Sequence, residues 1–181
     1  MRARYLVALA LSGVASGCNR PYFSWSLREP LAARHGRVAL AVEDRRTGDR
    51  AVIGRAFGFG GIPLEIRIGE DEPRERLSRL LTEATFTAGV GVAGVGDAPS
   101  ARVTLSLEAL ACRGETMTAR AEVRVRLAIA DVQGVPRIEP ETLVLDGKAR
   151  GCRLAYYAAF DRLLDELGAR LVEGPAHDAV L

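Results

Sequence analysis

From Arg37 onward, apolar and polar positions follow two periods. Val38, Leu40 and Val42 alternate with smaller or polar neighbours and stop at Glu43-Asp44, the period of two of a half-buried strand. Arg46-Thr47-Gly48-Asp49 is a turn signal, Val52-Ile53 is a short return strand, and Leu64, Ile66 and Ile68 alternate again. Asp71-Glu72-Pro73 then opens a helix, with acid at the N-cap and Pro in the first turn. Leu77, Leu80, Leu81, Ala84 and Ala88 mark its apolar face, and Gly89 stops it. After a Gly-rich loop, Ala101, Val103, Leu105, Leu107 and Ala109 alternate with polar residues. Met117, Ala119, Ala121, Val123, Val125, Leu127 and Ile129 repeat the pattern, and Leu143 and Leu145 begin another strand. Tyr156, Phe160, Leu163, Leu164, Leu167 and Leu171 are spaced as a helix that Gly174-Pro175 ends. The expected order is β-β-β-α-β-β-β-α. Because strict two-faced strands favour antiparallel pairing with one wet face, the expected class is α+β. It would be a largely antiparallel sheet with two amphipathic helices packed on one face.

The N-terminus follows a different logic. Met1-Arg2-Ala3-Arg4 is basic, Tyr5 to Leu11 is apolar, and Ala15-Ser16-Gly17 leads directly into Cys18. These are the three parts of a secretory signal, and the apolar run is too short to span a bilayer. Ala15-Ser16-Gly17-Cys18 resembles the bacterial lipobox, in which the cysteine thiol receives a diacylglyceryl group and becomes the mature N-terminus. Asn19 after that cysteine resembles lipoproteins delivered to the outer membrane. The expected organisation is a lipoprotein signal peptide (1–17), a lipidated tether (18–36), one α+β domain (37–175) and a C-terminal tail (176–181). The expected place is the periplasm-facing side of the outer membrane, with the lipid anchor as the membrane contact.

Composition narrows the function. The chain has 181 residues, with 25 basic and 23 acidic side chains. Without Arg2 and Arg4 the charges balance, which removes the basic footprint of a nucleic-acid binder. Gly89-Val90-Gly91-Val92-Ala93-Gly94 matches G-x-G-x-x-G, but it follows a helix and precedes a strand, the reverse of a dinucleotide site. Gly54 to Gly61 lacks the G-K-[ST] of a P-loop, so no cofactor is expected, and its Phe57 and Phe59 are a candidate partner contact. His35 and His177 lie near the ends of the domain, and neither is near a cysteine or an acidic ligand pair, so no metal is expected. No nucleophile motif is present, and no catalytic residue is assigned. Glu43-Asp44 and Glu70-Asp71-Glu72 are sources of a carboxylate pair, which solvated strand ends and a helix start explain equally well.

Cys112 and Cys152 remain once Cys18 is assigned to lipid, and an even pair in an oxidising compartment suggests a disulfide. Both are expected at strand ends on the outward parity. In a simple meander they would stand about 9–10 Å apart, so bonding requires one of them to bend across. Two separate thiols are the alternative. The outward row Arg120, Glu122, Arg124 and Arg126 is expected to pair with acids on adjacent strands such as Glu108. Its sharper reading is a contact for lipopolysaccharide through Arg120 and Arg124.

The stretch Val38-Ala39-Leu40-Ala41-Val42-Glu43-Asp44-Arg45-Arg46, followed by Val52-Ile53-Gly54, resembles the YajG-type lipoproteins. Those begin after their anchor with an apolar strand, a D-x-R-like element and a short I-G return. The resemblance implies an envelope lipoprotein of α+β fold without established enzymatic activity. A second resemblance is to the lipopolysaccharide-assembly lipoproteins, which also pack two helices on a small sheet. Three functions follow. The first is a non-enzymatic lipoprotein binding another envelope component. The second is a lipopolysaccharide-transport accessory, and the third is a periplasmic hydrolase built around Asp44.

Overall fold

The computed structural model describes residues 35–57, 63–114, 118–172 and 175–180. Along them lie β1 (His35–Asp44), β2 (Val52–Phe57), β3 (Pro63–Arg67), α1 (Glu72–Thr87), β4 (Val90–Val92), β5 (Ala101–Gly114), β6 (Ala119–Ala130), β7 (Glu141–Ala149), α2 (Cys152–Val172) and α3 (Pro175–Val180). The antiparallel pair β5–β6 is the spine. Val103, Leu105 and Leu107 meet Ile129, Leu127 and Val125 across it, all buried on one face. That alternation puts one side of each strand into an apolar layer and the other into water. α1 lies over β1 and β4, α2 over β6 and β7, and the two helices touch each other. The expected helix faces, Leu77 to Ala88 and Tyr156 to Leu171, are buried as their spacing requires.

The sheet is mixed rather than largely antiparallel. β1 runs parallel to β5, from Val38 beside Ala101 to Asp44 beside Leu107, and β4 runs parallel to β1. β2 also runs parallel to β5, with Gly54 beside Cys112. Residues 45–51 are therefore not a hairpin. They step away from the sheet, and β2 resumes along the same edge of β5 in the same direction. Alternation reports one wet face and not the direction of the neighbouring strand. A crossover through α1 on the dry face gives parallel pairing with the same pattern.

Other departures are local. β4 and α3 add elements that the Gly-rich loop and the Gly-Pro stop conceal. Among the described residues, the first strand starts at His35. The expected tail is α3, whose Ala176, Ala179 and Val180 are buried against α2 and the β5–β6 pair. A bulge between Leu107 and Ala109 inserts one residue into β5. It leaves Ala109 half-buried and turns Leu110 and Cys112 back into the core. At Gly147, α2 approaches the sheet so closely that a Cβ would overlap the Ala155 carbonyl oxygen and the Ala159 nitrogen.

Candidate functional site

β1 ends in a buried ion pair. Asp44 is an inward position beside Leu107, so its carboxylate enters the edge of the core and needs a partner there. Arg46 supplies it. Its Nε donates to Oδ1 at 3.0 Å and its Nη2 to Oδ2 at 2.8 Å, while its backbone N–H donates to Oδ1 at 3.1 Å. Both side chains are at most 7% exposed. Burial pushes the Asp44 carboxyl up, but the hydrogen bonds from Arg46 and the charges of Arg46 and Arg50 outweigh it and hold the group below its usual range.

A cleft of about 270 Å³ opens beside this pair, lined by Val42, Asp44, Arg50, Glu70, Asp71 and Arg74 among others. The fold thus brings together the two acidic stretches that the sequence offers as a carboxylate pair. Their chemistry does not follow. Glu43 turns its carboxylate to Arg45 at 2.8 Å and to the Ser106 hydroxyl at 3.3 Å, away from Asp44's partner. An Asp44 held low is neither a proton donor near neutral pH nor a strong base. The cleft is lined with charges of both signs rather than apolar walls, so the hydrolase reading loses the feature it needs.

The sulfurs of Cys112 and Cys152 are bonded, with the Cα atoms 5.8 Å apart. Neither cysteine sits where the sequence parity places it. The β5 bulge turns Cys112 inward, and Cys152 is the first residue of α2 rather than a strand end. Gly151, at φ +91°, lets the chain leave β7 and fold back over the sheet, which removes the two-strand separation of a flat meander.

On the opposite face two of the outward arginines are paired. Arg120 donates to Asp146 on β7 at 2.5 Å, and Arg124 to Glu122 on its own strand at 3.2 Å. The acid opposite the row is Asp146 rather than Glu108. Arg120 holds the Asp146 carboxyl below its usual value. Between α1 and α2 lies a cluster that periodicity does not reveal. Arg76 stacks its guanidinium 4.4 Å from the Tyr157 ring centre and reaches Asp161 at 3.4 Å. The buried Tyr156 hydroxyl and Arg76 Nε find no hydrogen-bond partner among the described residues, and burial raises the Tyr156 phenol well above its usual range.

Cys18 and Phe59 lie outside the described residues, as does the side chain of Phe57, whose backbone ends β2.

No family model matches the chain, and no curated relative does. Several solved structures are similar in fold. A minor lipoprotein from Acinetobacter baumannii is 14% identical with a TM-score of 0.45, over 78% of this chain and 92% of that one. Protein XCC0632 from Xanthomonas campestris, of family-model DUF330, is 10% identical with a TM-score of 0.49, over 78% and 83%. A putative lipoprotein from Caulobacter crescentus CB15 is 10% identical with a TM-score of 0.39, over 72% and 84%. Such values describe a likeness of outline between folds, and the YajG-type resemblance stays an expectation carried by residues 38–54.

Proposed function

We propose that the chain is an envelope lipoprotein, held to a membrane by a diacylglyceryl group on Cys18. Its α+β domain binds another envelope component and performs no chemistry of its own. The observation that carries this reading is the placement of Cys18 directly after Ala15-Ser16-Gly17, behind a basic start and a short apolar run. A thiol at the cleavage zone is what lipidation requires, and a diacyl group meets the need for more than one chain in stable anchoring. Asn19 favours the outer membrane and a periplasm-facing domain. The commitment of Asp44 to Arg46 supports a binding role over a catalytic one. The accessory role in lipopolysaccharide transport through Arg120 and Arg124 has less support, since Asp146 and Glu122 already accept from those guanidiniums.

The test is the intact mass of the membrane-extracted protein beside a Cys18→Ser variant. An acyl-sized increase lost in the variant is the expected result. An unmodified mass beginning elsewhere in the chain would remove the anchor from the reading. Crosslinking of the anchored protein, with and without Phe57→Ala and Phe59→Ala, then tests whether that aromatic pair contacts the captured component.

A further inference from the structure

Exposed apolar side chains gather at the end of the sheet where β1 begins. Val38 of β1 pairs with Ala101 at the start of β5, and Arg102 pairs with Ala130 at the end of β6. The β4–β5 and β6–β7 loops therefore meet at this end, and Arg137 ties them by donating to the Ser100 carbonyl at 2.7 Å. Val95 in the first loop is fully exposed, while Val132 and Val135 in the second are 49% and 59% exposed. Val92, level with Val38, and Phe86 in the last turn of α1 are exposed beside them. A single exposed valine needs no partner, but a gathering of them does. The turns that carry the valines are closed from within. Asp131 Oδ1 accepts from the Gln133 and Val135 N–H groups at 2.9 and 2.8 Å, and Asp97 Oδ2 accepts from Gly94 at 2.9 Å. The Asp97 carboxylate also meets the Arg37 guanidinium at 2.5 Å. Backbone donors already satisfied in this way leave water at less cost.

We propose that the tips of these two loops, with Val95, Val132 and Val135, dip into the interfacial layer of the membrane that holds the anchor. The proposal rests on the anchor reading and adds the surface with which the domain lies on lipid. The occupant follows from where the chain outside the described residues ends. Residues 18–34 join the domain at His35, so an acyl group on Cys18 tethers this end to the bilayer. Cys112, by contrast, lies about 36 Å further along β5. A tethered contact meets its target at an effective concentration of about millimolar. Apolar insertion too weak to recruit a free domain therefore suffices to orient an anchored one. The carboxylates of Asp97 and Asp131, which close the turns, confine penetration to the tips, because a charge is costly below the headgroups.

The test places the full-length chain in phosphatidylcholine vesicles, plain or brominated near the top of the acyl chains. With Cys112 bonded to Cys152 and Cys18 acylated, a bimane label enters through Gln133→Cys, between Val132 and Val135. The brominated lipid should quench it. A label at Leu154→Cys, on the exposed first turn of α2 at the far end, should not be quenched. Each buried methyl is worth about fourfold in partition. Val95→Ser with Val135→Ser should therefore lower the ratio of inserted to withdrawn labels at position 133 by at least about tenfold. Leu154→Ser should leave that ratio unchanged, and an unchanged melting temperature in both variants excludes a folding defect. Absence of quenching at position 133, equal quenching at both positions, or quenching indifferent to the valine substitutions would overturn the proposal. So would a label shielded from water yet untouched by the bromines, which would put residues 18–34 or a second copy of the chain over the valines. The intact mass of the same sample reports the anchor separately: a chain without acyl groups refutes lipidation at Cys18, whereas an unquenched label on an acylated chain refutes insertion of the loops.

Discussion

Reducing the Cys112–Cys152 bond is the perturbation whose size follows most directly from the chain. The bond closes a loop with a sequence separation of 40. In the chain-entropy model, a loop of this length removes about 13 cal/mol/K from the unfolded ensemble, or about 4 kcal/mol at 25 °C. A domain of about 145 residues unfolds with an entropy near 0.3 kcal/mol/K, so the melting temperature should fall by about 13 °C on reduction. Both cysteines are buried, and the bond ties the first residue of α2 directly to β5. The assay is thermal unfolding followed by far-UV circular dichroism, with and without reductant, beside Cys112→Ser/Cys152→Ser. The doubly substituted chain should melt at or below the reduced wild type, because its two buried hydroxyls add a desolvation penalty. A shift under about 3 °C on verified reduction would refute the reasoning, since packing alone would then hold α2 on the sheet.

Other outcomes follow from single contacts. Gly147→Ala forces a methyl into the α2 backbone and should destabilise by about 3 kcal/mol in chemical denaturation, at the upper end of overpacking costs. Arg46→Ala leaves a buried carboxylate without its partner and should cost about 3 kcal/mol at neutral pH. Because the folded Asp44 carboxyl lies below its unfolded value, the wild-type contribution is complete above about pH 4 and is lost as pH falls through the lowered value. The Arg46→Ala variant should therefore show a shallower loss of stability through that acid range, read from urea midpoints. Tyr156→Phe removes a buried hydroxyl that lacks a partner among the described residues and should be neutral or stabilising by about 1 kcal/mol, measured by melting temperature.

Much of the fold was legible because apolar spacing is set by burial, and burial is what the core records. The inward residues of β5 and β6 before the bulge, and the faces of α1 and α2, follow directly from their periods. Strand direction was not legible. The side chains of β1 meet the same dry face whether its neighbour runs parallel or antiparallel, and the turn signal at Thr47-Gly48-Asp49 does not distinguish a reversal from an excursion. The β5 bulge was hidden for a related reason: one inserted residue shifts the parity of Cys112 without changing its composition. At the candidate site, Asp44 stood out as an acid at the end of a strand, and its partner lay two residues away in a stretch that reads as a turn. Val95 and Val135 lie far apart in the chain, so only the register brings their loops to one end.

The parallel pairing of β1 with β5 has a kinetic consequence. Its members are about 63 residues apart, as the contacts of Arg37 with Ser100 and of Glu43 with Ser106 record. β5, β6, β7 and α2, by contrast, follow one another through short connections and are tied by a bond within their own span. Local pairings form faster than pairings that close long loops. The C-terminal half should therefore assemble first, with one side of β5 bare until β1 and β2 arrive. A bare strand edge is a template for pairing with another chain. The interval before β1 docks is thus the time at which the molecule is most exposed to misassembly with its own copies, and substitutions that slow that docking should raise aggregation before they lower equilibrium stability.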